Sequence, residues 1–330
     1  MLLGLKQGIP VFCLFDKRYT ANMQAQSKKH AHLIHNPKAG DRECTKSEIV
    51  KTVTGCGFTC TYASIKAEHW DRLDPHTTLV VVAGGDGTVR QVMKKMLART
   101  MLDRRLAIAL LPIGTANNFA KALDIGSGVA ALGSAIKGWT PRPVDIGAVG
   151  NLPDASFFLE SIGWGMLPKL MKAMEATAST SLATAQQELE MALAKLIEIA
   201  GRFKPKSGTV IIDGKLYEGD YLFVEVLNTS SVGPNLRLAP HANPSDGKFS
   251  VALLEAGQRE AFIDYVQRYG RAAGRGEAHP ADLPWQLIEA EQVIVRSQSR
   301  LIHVDDELFT SPKGRPVTVE IRAGIVDVLV

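Results

Sequence analysis

The sequence predicts an N-terminal α/β domain, with a parallel sheet and flanking helices, followed by a mainly antiparallel β-sandwich domain. Two patterns predict it. Short apolar strand-like runs alternate with helix-like segments to about residue 140, the order that builds a parallel sheet covered on both faces. After Pro141 the chain turns to many short strand-like runs, often parted by turn dipeptides such as Asp213-Gly214 and Asp246-Gly247, as in an antiparallel sandwich. A third observation supports a core in each half: of 330 residues, 45% are hydrophobic and 22% charged, an ordinary globular balance.

The expected organisation is a peripheral or disordered segment over 1–29, the α/β domain over 30–142 with the C-terminal residues able to return to it, and a β-rich domain over 143–330. In the first domain, Ala31 to His35, Phe58 to Ile65, Thr77 to Ala83 and Leu106 to Leu111 read as strands. Thr77 to Ala83 is continuously apolar, as a strand buried on both faces requires. Helices are expected over Thr45 to Thr54, Val89 to Ala98 and from Phe119 to Leu123. In the second domain the strand candidates are Val144 to Val149, Phe157 to Ile162, Thr209 to Ile212, Tyr221 to Leu227, Phe249 to Leu254, Gln292 to Val295, Leu301 to Val304, Val317 to Ile321 and Val326 to Val330. Its main helix is expected from about Ala183 to Phe203, with Leu189, Leu193, Leu196, Ile197 and Ala200 as one apolar stripe.

The formal net charge of +4 is small and dispersed. It suits nucleotides or an anionic membrane surface and argues against nucleic acid. The basic pairs Lys94-Lys95 and Arg104-Arg105, and the spaced set Arg268, Arg271 and Arg275, read first as solvated helix faces, with a membrane-facing patch as the alternative. Four cysteines, all within the first sixty residues, lack the spacing of a zinc site. Reduced cytosolic thiols are the default. No apolar run approaches the length of a membrane span, and a cytoplasmic protein is expected.

Chemistry concentrates in loops at strand ends, where open α/β sheets bind ligands. Gly84-Gly85-Asp86-Gly87-Thr88 follows the most apolar strand. Its glycines let the backbone turn sharply and approach a ligand, and its amides with the following helix N-terminus suit phosphate. Asp86 would repel a bare phosphate, so a role in holding Mg2+ against the phosphates is expected; a plain helix-capping aspartate is the alternative. Gly114-Thr115-Ala116-Asn117-Asn118 ends the next strand and offers a hydroxyl and amides. Neither a Walker-type lysine loop nor a GxGxxG occurs.

Taken together, Asn36-Pro37-Lys38-Ala39-Gly40, Gly84-Gly85-Asp86-Gly87-Thr88 and Leu111-Pro112-Ile113-Gly114-Thr115-Ala116-Asn117-Asn118-Phe119-Ala120 resemble the nucleotide motifs of the diacylglycerol kinase catalytic family. Bacterial lipid kinases and sphingosine kinases share its fold. The resemblance continues at Val144-Asp145-Ile146-Gly147, Ser161-Ile162-Gly163, Leu238-Ala239-Pro240 through Asp246-Gly247, and Asp305-Asp306-Glu307, so it spans about residues 30 to 330.

The resemblance implies ATP and Mg2+ dependence and a lipid acceptor drawn from a membrane surface. It implies nucleotide contacts from Asn36, Ser64, Gly84, Gly85, Asp86, Gly87, Thr88, Val89, Arg90, Gly114, Thr115 and Asn117. Asp86, with Asp145, would organise catalytic Mg2+. Asp246, with main-chain carbonyls near Asn243 and Lys248, matches a structural metal site. Asp305 and Glu307 match the acidic motif that supplies the general base. Three departures stand out: Asn118 where many members have Asp, Arg90-Gln91 where many have Asn and Glu, and Asp306 in place of glycine. His241 and His303 read as structural. Met166, Met171, Met174 and Met191, with Trp164, read as core or as the lining of a lipid tunnel.

Phosphorylation of a hydroxyl on diacylglycerol or a similar lipid is therefore the leading expectation. NAD kinase, which shares GGDGT, and a nucleotide- or lipid-binding regulator without catalysis are the alternatives. Exposed strand edges in the second half suit a homodimer.

Overall fold

The computed structural model describes residues 29–40, 44–98, 105–176, 185–233, 235–275 and 281–330. The expected N-terminal segment, except Lys29, Arg104 and the start of the helix expected at Ala183 lie outside them. β1 (His30–His35) is followed by α1 (Lys46–Gly55), β2 (Thr59–Ser64), β3 (Thr77–Gly84), α2 (Asp86–Leu97), β4 (Ala107–Pro112), α3 (Asn118–Ala122) and α4 (Gly128–Gly138). The strands pair in parallel in the order β2-β1-β3-β4. Alternation along β3 explains its position: Val80 and Val82 pack with one apolar cluster, while Leu79, Val81 and Ala83 pack with another on the opposite face. α1 begins where Thr45 and Glu48 form a reciprocal capping box.

The second half runs β5 (Pro141–Gly150), β6 (Phe157–Phe158), β7 (Ser161–Gly165), α5 (Met166–Glu175), α6 (Ala185–Arg202), β8 (Lys206–Ile212), β9 (Lys215–Leu227), β10 (Ser231–Val232), β11 (Leu236–Arg237), β12 (Phe249–Glu255), α7 (Arg259–Arg275), β13 (Gln286–Ala290), β14 (Gln292–Ser297), β15 (Leu301–Val304), β16 (Glu307–Thr310) and β17 (Val317–Leu329). Its strand pairs are antiparallel, and buried side chains from β7, β8, β9, β12, β14, β15 and β17 form the sandwich core. A separate apolar cluster joins α5, α6 and α7 to the sheet through Phe223, Phe262, Tyr265 and Trp285.

Two expected strands prove to be one. The runs expected at Val317 to Ile321 and Val326 to Val330 form the single β17, which ends at Leu329, pairs with β5 and lies in parallel beside β4. The ladder shifts between Arg322 and Val326, where Gly324 has φ +57°; that local break hides the continuity in the sequence. β17 thereby returns the C-terminal residues to the parallel sheet. The reverse happens at Phe157 to Ile162, expected as one strand and found as β6 and β7. The amides of Leu159, Glu160 and Ser161 turn to the carboxylate of Asp305, which interrupts the ladder between them. α4 and α5 were not expected; α7 was foreshadowed by the spaced arginines at its C-terminal end, and its buried residues Phe262, Tyr265, Val266 and Tyr269 have helical spacing as well.

Candidate active site

The glycine-rich turns at the ends of β3 and β4 touch. A Cβ added at Gly114 would lie 2.5 Å from the Cα of Gly85, so only hydrogen at position 114 permits this approach. Asn117 holds its own loop: its side chain accepts from the Gly114 amide at 3.0 Å and donates to the Gly114 carbonyl at 2.7 Å, with φ +51°. Asn36 reaches across from the end of β1, donating through Nδ2 to Thr88 Oγ1 at 3.1 Å. Thr88 is buried in the first turn of α2, which starts at Asp86, earlier than the expected Val89. Val89 and Arg90 are buried in the same turn, whereas Gly87 and Thr115 are exposed. Ser64 ends β2 opposite His35, its Oγ accepting from the Lys66 amide. The expected nucleotide contacts thus gather at the carboxyl edge of the parallel sheet.

Asp86 joins the loops at their centre. Its carboxylate accepts from the amides of Asn118 at 3.0 Å and Phe119 at 3.3 Å, capping α3. Burial pushes its pKa up and the two amides pull it down; Asp306 also raises it, and Lys121 lowers it. Asp306 Oδ2 lies over Gly87, where an added Cβ would come within 2.6 Å.

The acidic triplet divides by role. Asp305 and Asp306 form the two-residue turn between β15 and β16, since Val304 pairs with Glu307. Asp305, at φ +52°, sends its carboxylate inward. It accepts from the amides of Leu159, Glu160 and Ser161 and from Arg90 Nε at 2.9 Å. Burial raises its pKa to about 6, against the lowering effect of Arg90 and these amides. Arg90 Nη1 also meets Glu307 Oε1 at 2.6 Å, and the Glu307 side chain is 54% exposed. Arg90 is therefore committed to two acids.

Asp145 turns elsewhere. Its oxygens accept from the amides of Gly247 and Gly324, both at 2.7 Å. Those bonds associate it with the Asp246 loop. In that loop Ser245 N donates to Asn243 Oδ1 and Lys248 N to Asp246 Oδ1. Burial raises the Asp246 pKa, and nearby Asp145 adds to the rise.

Glu160 escaped the sequence analysis. It is buried, accepts from Asn118 Nδ2 at 3.0 Å, and has a pKa well above the ordinary carboxylate range because of burial and then the charges of Asp86 and Asp305. The available signal was a lone acid in the apolar stretch Phe157-Phe158-Leu159-Glu160. Beneath it, His303 Nε2 approaches Glu225 Oε1 to 2.8 Å and its Nδ1 faces the Asp305 carbonyl at 3.1 Å.

Asp86, Asn118, Glu160, His303, Asp305 and Asp306 border the polar end of a cavity of about 230 Å³. Its other walls are apolar and come mainly from α5 and α6: Leu167, Leu170, Met171, Ala192, Leu193 and Leu196. Met171 is thus a wall residue, whereas Met166 is core and Trp164 belongs to the sandwich interior.

Residues 30–149 match the family model of the diacylglycerol kinase catalytic domain, and residues 171–330 match that of the YegS C-terminal NAD kinase beta sandwich-like domain. Over residues 30–149 the chain belongs to the diacylglycerol kinase catalytic-domain family. The family's likeness extends to a diacylglycerol kinase of Bacillus subtilis (strain 168), 29% identical over 298 residues, covering 84% of this chain and 90% of that protein. A diacylglycerol kinase of Staphylococcus carnosus (strain TM300) is 25% identical over 265 residues, covering 77% and 81%. In fold, this member of the family resembles a diacylglycerol kinase from Bacillus anthracis str. Sterne, with a TM-score of 0.64, 18% identity, and coverage of 91% of this chain and 96% of that one.

Proposed function

We propose that this protein transfers the γ-phosphoryl group of ATP, with Mg2+, to a hydroxyl of diacylglycerol or a similar lipid. The observation that carries the reading is the cavity whose apolar walls end at Asp86, Glu160, Asp305 and Asp306, next to the glycine turns. An acyl chain suits those walls far better than the polar dinucleotide that an NAD kinase would take. Phosphoryl transfer needs positioning and charge neutralisation above all. The crossing glycine turns supply close backbone approach to phosphates, and Asn36 and Thr88 brace them.

Asp86 and Asp306 fit Mg2+: their carboxylates repel one another beside the turn. Mg2+ keeps several waters and takes phosphate oxygens, so one or two carboxylates suffice to hold it. Bound there, Mg2+ would neutralise phosphate charge. The lipid oxygen forms the new P–O bond as the bond to ADP breaks, and the hydroxyl proton passes to a carboxylate of the cluster. Asp305 and Glu307 remain the assigned candidates for that acceptor. A second cation at Asp246, with carbonyls near Asn243 and Lys248, is part of the same proposal and is read by metal analysis of an Asp246→Ala variant.

Substrates of this kind lie in membranes, so transient contact with a membrane surface by a cytoplasmic protein is also proposed. Among the described residues no helix is long and apolar enough to cross a membrane. A homodimer through free sheet edges, at β16 and β2, is testable by sedimentation.

The deciding assay is transfer of labelled phosphate from ATP to a lipid extract, resolved by thin-layer chromatography. A labelled lipid that disappears with Asp86→Ala is expected, because catalytic metal positioning contributes several kcal/mol. Label on NAD and on no lipid would overturn the reading, as would ATP binding without any product.

A further inference from the structure

Asp306 stands where the family resemblance has glycine, and its carboxylate lies against the phosphate-type turn. A Cβ added at Gly87 would come within 2.6 Å of Asp306 Oδ2. Gly87 is exposed and belongs to the first turn of α2. The first amides of a helix have no partner within it, and Gly85 at the cap supplies no side-chain bond. The carboxylate therefore sits at the end of α2 that attracts anions, in the space beside the turn that a nucleotide phosphate would use.

The neighbouring cations are spent on other partners. Arg90 commits Nε to Asp305 and Nη1 to Glu307. Lys121 directs Nζ to Asn235 Oδ1 at 2.6 Å. Among the described residues, no cationic side chain pairs with Asp306. Burial raises its pKa, and the charge of Arg90 opposes the rise. Asp86 brings a second carboxylate to the same end of the cavity, and the charge of Asp306 adds to the rise in its pKa. Bare phosphate thus meets a negative charge at the turn whose amides would otherwise receive it.

We propose that Asp306 is a specificity-determining residue that admits the nucleotide only together with its divalent cation, repelling metal-free phosphate from the Gly87 turn and favouring the metal-bound form. The inference rests on the nucleotide site proposed above and deepens it. Like charges at close range interact more strongly in a crevice than in bulk water, and a divalent ion between them reverses the sign of the effect. A carboxylate that only ligated the cation would act on metal-bound nucleotide alone. Asp306, seated beside the turn itself, acts on metal-free nucleotide as well, and in the opposite direction.

The test measures ATP binding to the full chain by calorimetry at pH 8, with Mg2+ and with a chelator in its place. Asp306→Asn keeps the shape and removes the charge; Asp306→Gly removes the side chain. In both variants metal-free ATP should bind about tenfold more tightly than in the wild type, while Mg2+-bound ATP gains nothing. A metal-free affinity that stays unmoved, with only the Mg2+-bound form weakened, would make Asp306 a plain cation ligand and overturn the inference. A wild type that binds ATP equally with and without Mg2+ overturns it too. If Asp306→Asn distorts the turn and weakens both forms, Asp306→Gly decides, because glycine suits a two-residue turn; a loss of both forms there as well sinks the inference. Mg2+-dependent ATP binding with the expected variant effects, but no transfer to lipid, would leave this role of Asp306 standing and remove the lipid-kinase reading.

Discussion

Arg90 Nε lies 2.9 Å from Asp305 Oδ2 although 215 positions separate the two residues in the chain. The pair ties the first turn of α2, in the α/β half, to the β15–β16 turn of the sandwich half. Its side chains are 9% and 3% exposed, so it fixes the relation between phosphate loop and acidic cluster from inside the molecule.

The buried pair separates two carboxylates that the sequence treats alike. Asp305→Asn removes a charge matched to Arg90 and leaves three amides aimed at a poorer acceptor. A loss of ~3–5 kcal/mol is expected. Glu307→Gln alters a half-exposed partner of the same arginine, and its cost should stay below ~1 kcal/mol. Denaturant titration checks both. In turnover, Glu307→Gln should retain ATP binding and lose rate if Glu307 accepts the lipid proton; full activity in Glu307→Gln would leave the proton to another carboxylate.

The Glu225 and His303 pair makes stability depend on pH. Burial opposes a charged His303, but Glu225, together with the carbonyl of Asp305, outweighs it and holds the pKa above 6.5. Groups facing this ring from the packed elements are Glu225 on β9 and Asp305 on the β15–β16 turn. A group with a raised folded pKa contributes stability that is complete below the unfolded value and is lost as pH rises through the folded one. The melting temperature should therefore fall from pH 6.5 upward, through the raised His303 value. Glu225→Gln should flatten that fall. Parallel pH profiles for the two proteins would refute the assignment.

The parallel sheet was legible because β3 and β4 are apolar runs and β2 alternates, and the phosphate-type loops were legible because glycine and asparagine follow the strand ends. What escaped depends on distant pairing. Nothing near Arg90 in sequence reports Asp305, and nothing near Glu160 reports Asn118. The continuous β17 was hidden by the break around Gly324, and the split of β6 from β7 by an acid from the far end of the chain. Asp145 shows the limit of placement by motif: its flanking Val144-Asp145-Ile146-Gly147 is clear, but the donors that orient its carboxylate come from Gly247 and Gly324.

Gly114→Ala tests the crossing of the two glycine turns. The new methyl carbon would sit 2.5 Å from Gly85 Cα and 2.9 Å from Asn117 Oδ1. Backbone on one side and the loop's own bracing side chain on the other leave little room to yield. Overpacking of this kind costs ~1–3 kcal/mol, and the displaced turns should weaken ATP binding by tenfold or more in calorimetry. Unchanged ATP affinity would mean that the nucleotide does not use this crossing.

Met171→Trp tests the apolar wall separately from the phosphate machinery. Met171 is half-buried on α5 and borders the cavity. Because it is not fully enclosed, a larger side chain has room to fold into the cavity at small cost to stability. An indole there takes the volume an acyl chain would occupy. The KM for a long-chain lipid should rise by tenfold or more, while the Kd for ATP stays within twofold and the rate with a short-chain, water-soluble analogue falls much less. Equal losses for long and short chains would indicate a distorted site, and no loss with either would mean that the acyl chain lies outside this cavity.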